Sequence, residues 1–216
     1  MSVQDIVFGF GAHTGIDDVP ELLRLAQQAD RDGLDVFSLS DHPYFGGRLD
    51  AYAAIGFILG RTERVSGLAN VTNLPTRPAP MLARTVTSLS ALSGGRVVLG
   101  MGAGGYRSSR PVIDEAAAAA GRDPREIRTI FNFPGLIADR PLAATRDGDG
   151  RWIGGSAAQW TEELTGAVLE HGASGFILFP PGDAEHDDLS LGRWAQEIVP
   201  AVREATAEAR PAAIAR

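Results

Sequence analysis

The sequence of 216 residues contains no cysteine. Disulfides, thiolate nucleophiles and cysteine-ligated metals are thereby excluded within it. It also lacks any uninterrupted apolar run of about 18 residues, the length that signals a bilayer-spanning helix, so no membrane association is expected. Basic residues are in the minority, with 20 Lys and Arg against 27 Asp and Glu and a formal charge of −7. Nucleic acid is not an expected partner, because phosphates call for a basic surface. Met1 to Asp5 shows no basic stretch leading into an apolar one, so no signal peptide is expected, and a cytoplasmic protein is. The histidines at 13, 42, 171 and 186 are too scattered to make a metal site.

What is present is ordinary for a globular protein: 44% hydrophobic and 22% charged residues. The length fits one domain covering residues 1–216. Along the chain, short apolar runs alternate with helical patterns. Strands are predicted at Ile6–Gly11, Leu34–Ser40, Val65–Thr72, Arg96–Met101, Ile127–Phe133 and Ser174–Phe179. Between the first two, Asp18 stands three residues before Glu21, the spacing of a capping box, and Leu22, Leu25, Ala26 and Ala29 share one helical face up to Gly33. Further helices are predicted at Asp50–Leu59, Pro78–Ser93 and Val112–Ala120, from a Ser156/Gln159 capping box through Glu170, and over Leu189–Ala209 with an interruption near Pro200. Strand–helix alternation with short connections predicts an α/β fold with a parallel sheet. Asp139 to Gly150 reads as a polar surface loop.

Three clusters suggest chemistry. Ser40-Asp41-His42 falls at the carboxyl end of the second strand, the end at which β/α barrels place active sites. An aspartate beside a histidine can orient or charge the imidazole for proton transfer, or the histidine can simply cap a turn. Asn70-Val71-Thr72-Asn73 closes the third strand with polar side chains that either present amides and a hydroxyl to a ring system or form a turn. Gly100, Gly102 and Gly105 match G-x-G-x-x-G, but three β–α units precede them, so close backbone approach at a barrel rim competes with a dinucleotide fingerprint. Gly154-Gly155 before the Ser156 cap is a further candidate anion site.

Taken together, SDHPYF (40–45), TNLPTRPAPMLAR (72–84), LSGGRVVLGMGAGG (92–105), AAAAAGRDPREI (116–127) and QWTEELTGAVLEHGASGFILFPPGD (159–183) resemble the luciferase-like monooxygenase superfamily, especially its coenzyme F420-dependent branch. The resemblance implies a TIM (β/α)8-type barrel and an F420- or FMN-dependent oxidoreductase acting on a small organic substrate. It assigns His42 to catalysis, and Asp41, His42, Ala69, Asn70, Thr72, Gly102 and Gly104 to the cofactor. It also implies a non-proline cis peptide near Ala69 and Asn70, and a homodimer built through the Asp50–Leu59 and Pro78–Ser93 helices. Two departures stand out. Gly105 replaces the catalytic glutamate of the family's sugar-phosphate dehydrogenases. Residues 106–111 (YRSSRP) replace a long segment, so the barrel is expected to be incomplete, with about six of eight strands. The alternative is a shortened, non-catalytic relative that binds flavin or merely oligomerises.

Overall fold

In the computed structural model, residues 5–13, 15–102, 106–179 and 188–214 are described. The chain runs β1 (Val7–Ala12), α1 (Val19–Arg31), β2 (Val36–Leu39), α2 (Ala51–Leu59), β3 (Ser66–Ala69), α3 (Ala79–Ser93), β4 (Val97–Leu99), α4 (Tyr106–Ala119), β5 (Ile130–Pro134), β6 (Leu136–Ala138), β7 (Gly154–Ser156), α5 (Ala157–His171), β8 (Gly175–Phe179), α6 (Asp188–Arg193) and α7 (Val199–Ile214). The six predicted strands form one parallel sheet in the order β4-β3-β2-β1-β8-β5. The last strand returns beside the first, which is the cyclic order of a β/α barrel; a dinucleotide fold would instead reverse direction at β1. The barrel is not closed, and its gap lies between β4 and β5. The chain that crosses this gap contains the 106–111 stretch.

Alternation along the strands sends side chains to two cores. Phe8, Phe10, Phe37, Leu39, Phe176 and Leu178 face outward and pack with Leu22, Leu25, Ile55, Trp160, Leu164 and Trp194 of the helices. Full burial of such side chains stabilises the fold by roughly 1.5–3 kcal/mol each. On the concave side Val36, Leu68 and Ile177 form a smaller cluster with Val7, Val98, Ile130 and Phe179. Every strand of the sheet contributes to it, which requires the sheet to curl. Glycine makes the curl possible: a β-carbon at Gly11 would stand 2.3 Å from the Phe179 ring, and one at Gly100 2.2 Å from the Ala69 carbonyl oxygen.

The helices follow their sequence signals with three corrections. Leu22, Leu25, Ala26 and Ala29 are all buried and Gly33 takes positive φ, but Asp18 makes no side-chain cap bond, so the first capping box does not form. The Ser156/Gln159 box does form. Helix α4 starts at Tyr106, six residues ahead of Val112, and contains Pro111. Near Pro200 the closing helix does not break but widens into a π-turn over Trp194–Ile198, which accommodates a residue without an amide hydrogen. Strands β6 and β7 were not anticipated; they make a separate two-stranded parallel ribbon.

Because Gly100 lies against backbone, Gly100→Ala should lower the thermal midpoint by roughly 3–10 °C. Gly148→Ala, where a β-carbon meets nothing within 4 Å, should leave it unchanged. Circular dichroism melts compare the two.

Candidate active site at the strand carboxyl ends

The rim of the sheet is organised around one carboxylate. Asp41 follows β2 and is 3% exposed. Its Oδ2 accepts from the Asn73 amide at 2.9 Å and from Arg77 Nε at 2.7 Å, and its Oδ1 accepts from Arg77 Nη2 at 2.7 Å. The fork of the guanidinium matches the carboxylate in two parallel bonds, the strongest common arrangement for such a pair. Arg77 also donates at 2.7 Å to Asp50 Oδ2, while Asp50 Oδ1 accepts the Ala53 amide at 2.9 Å and caps α2. The guanidinium lies 4.7 Å from the centroid of Tyr52, whose hydroxyl meets Thr72 Oγ1 at 2.8 Å. Burial opposes ionisation of Asp41, but the Arg77 and Asn73 bonds and the nearby positive charge outweigh it and hold the carboxyl below its ordinary range. The Arg77 guanidinium is pushed up chiefly by its bonds to Asp41, against the opposing effect of burial. Burial raises the Tyr52 phenol.

Several residues expected at a cofactor therefore lie beneath the rim. Asp41 turns its oxygens to Arg77 and Asn73. Thr72 is buried with its hydroxyl on Tyr52, and Ala69 is buried in the outer core. What they give the rim is its shape. His42, in contrast, is exposed, and its Nδ1 lies 2.9 Å from the Tyr44 hydroxyl. With Tyr44 and Phe45 it makes a cluster of three mutually contacting rings, with centroids 5.2–5.5 Å apart.

On the concave side of the third strand's end, the Asn70–Val71 bond is cis, where the family resemblance places such a bond. Asn70 Nδ2 donates at 2.6 Å to Asn132 Oδ1 of β5. Gly102 packs against Val71, which a β-carbon would approach to 2.7 Å. Gly104 and Gly105 lie outside the described residues, as does His186. Ser38, on the concave face of β2, is fully buried, and its hydroxyl has no hydrogen-bond partner among the described residues. The helix α5 terminus offers less than its glycines suggest. Ser156 N–H is taken by Gln159 Oε1 and Gln159 N–H by Ser156 Oγ, while Gly154 and Gly155 are buried in β7.

A model of the luciferase-like monooxygenases matches residues 6–111. Over those residues the chain is similar to the luciferase-like monooxygenases. The match ends at residue 111. The 5,10-methylenetetrahydromethanopterin reductase of Methanolobus tindarius is 33% identical over 88 residues, which are 41% of this chain. The chain spans about a quarter of that relative, 26% of its length. The fold likeness reaches further. The coenzyme F420 dependent tetrahydromethanopterin reductase of Methanopyrus kandleri superposes with a TM-score of 0.70 at 12% identity, over 91% of this chain and 99% of that one. A riboflavin lyase solved with modified FMN gives 0.65 at 12% identity, over 93% and 92%. The fold likeness to these solved structures thus extends into the carboxyl-terminal half, which the family model does not reach.

Two cavities of about 440 and 690 Å³ lie on the outer side of α5, remote from the rim. They are lined by helix-surface residues such as Glu162, Gly166 and Glu170, with no residue of the Asp41 network. The strand ends remain the better candidate, because converging polar groups and an orphaned buried hydroxyl mark a site more firmly than surface concavity does. No helix among the described residues is long and apolar enough to cross a membrane.

Removing one partner of a buried charge pair typically costs on the order of 3 kcal/mol. Asp41→Asn and Arg77→Met should each destabilise by about that amount in urea unfolding. Because the folded Asp41 is held below its unfolded value of about 3.9, its contribution is complete above that pH and is lost as pH falls through the folded value. Wild-type stability should therefore drop more steeply below about pH 4 than that of Asp41→Asn.

Proposed function

We propose that this chain is an oxidoreductase that holds F420 or FMN with its ring against the carboxyl ends of the parallel strands, beside His42. The carrying observation is the exposed imidazole placed at the rim by a buried Asp41–Arg77 pair, on a luciferase-like fold. The residues present suit a planar, partly polar ring: an apolar concave floor, the Asn70 amide, the Gly102 backbone and the unpartnered Ser38 hydroxyl. Asp41, Ala69 and Thr72 serve the ring from below by fixing the backbone that meets it. The bound group would supply hydride or oxygen transfer to a small organic substrate, and His42, with Tyr44 on its Nδ1, would hold or accept the proton that accompanies it.

A second reading, a non-catalytic flavin-binding or oligomeric relative, is favoured by one observation. The sheet is open between β4 and β5, and Leu99 and Met101 beside the β4 edge are 41% and 62% exposed. In either reading a homodimer would cover Phe57 of α2 with Met81 and Leu92 of α3, all exposed.

Titration of the purified protein with F420 and with FMN, followed by ligand fluorescence, should show saturable binding of one of them. His42→Ala should keep the fold while lowering turnover by about 10²–10⁴-fold, the range of a lost general acid or base. Saturable binding with unaltered turnover in His42→Ala would remove the histidine from catalysis. Binding without turnover in the wild type would favour the second reading.

A further inference from the structure

The Asn70–Asn132 contact joins residues that the sheet order keeps apart. Three strands, β2, β1 and β8, lie between β3 and β5. The two amides meet at 2.6 Å only because the sheet curls. Asn132 pairs in register with Ile177, a member of the concave cluster, while its neighbours Phe131 and Phe133 pack on the outer core. It therefore faces the concavity. Asn132 is exposed and Asn70 half-buried, so the pair stands partly open to solvent beside the apolar floor.

A carboxamide carries two donor hydrogens and an acceptor oxygen with two lone pairs. The contact uses one hydrogen of Asn70 and one lone pair of Asn132. Asn70 keeps its oxygen as an acceptor and Asn132 keeps its NH2 as a donor, on two amides joined by one bond. An acceptor next to a donor is the complement of an N–H next to a C=O. Above an apolar floor, that combination selects a flat heterocycle with a lactam or imide edge.

The geometry points to Asn132, with Asn70, as the recognition edge for an imide: Asn70 Oδ1 accepts the imide N–H and Asn132 Nδ2 donates to the adjacent carbonyl. This rests on the proposal that a flavin-type ring is held at the strand ends, since flavins and deazaflavins share such an edge, and it assigns the polar side of that ring to β3 and β5.

The test compares FMN with its N3-methyl derivative, which keeps the ring and phosphate but has no imide N–H, using quenching of flavin fluorescence to obtain Kd. Wild type should bind the methylated flavin about 5- to 10-fold more weakly, the loss of one hydrogen bond. Asn70→Ala should bind the two flavins equally. Asn132→Asp, which retains an oxygen for the Asn70 amide but loses the free donor, should bind FMN about 5- to 10-fold more weakly than wild type, with an unchanged circular dichroism spectrum. Wild-type affinity for FMN in both variants, or equal wild-type affinity for both flavins, would overturn the assignment while leaving the flavin reading standing. If neither FMN nor F420 binds to wild type, the flavin reading fails and this inference fails with it.

Discussion

A carboxylate removed from water at the end of a strand must be compensated, and Asp41 is compensated by Arg77. The rest of the rim depends on this pair. Asp41 ends β2, Arg77 lies in the turn after β3, and Asp50, the second carboxylate on the guanidinium, caps α2. Three segments that could otherwise move independently are thus held to one cation whose planar fork admits little angular freedom. The residue after Asp41 is His42, and the backbone that the network fixes is the backbone that presents the imidazole. Tyr52 and Thr72 extend the same network into the outer core, where their paired hydroxyls avoid the penalty of unpartnered burial.

The second constraint is the division of hydrophobic burial between the two faces of the sheet. Most of it lies outside, between strands and helices, where the Phe and Trp residues are found. The concave cluster is smaller and is built around glycines that admit Phe179 and the Ala69 carbonyl. An outer core of this kind does not require a closed barrel, which is how six strands with a gap between β4 and β5 can retain the luciferase-like layout. With the sheet curled and open, a β5 side chain, Asn132, reaches Asn70 at the end of β3.

Much of this was legible along the chain. All six strands of the sheet appear as apolar runs at the expected places, and the buried faces of α1 and α5 follow from the spacing of Leu22, Leu25 and Ala26 and of Trp160 and Leu164. His42 at the rim was legible because it follows an apolar strand and precedes a proline. The partner of Asp41 was not, since Arg77 is 36 residues away and nothing local distinguishes it from a solvated arginine. The signal that would have found it is the requirement that a carboxylate buried at a strand end meets a cation carried by a neighbouring strand's turn. Asn132 was hidden for a similar reason: its meaning depends on the curl of the sheet, which no local pattern encodes. Strands β6 and β7 escaped because three-residue pairs, one containing Gly154 and Gly155, carry no period. Asp18 illustrates the converse, a capping-box spacing without the backbone angle that would bring its side chain to the helix amides.

The central claim is that the concave carboxyl end of this open sheet, with His42 on its rim, is a ring-binding site. The most direct measurement is a crystal structure of the protein equilibrated with FMN or F420. The account predicts ring density over the ends of β1 to β4, in contact with the His42 imidazole. Ring density only on the outer face of α5, with the strand ends bare, would contradict it.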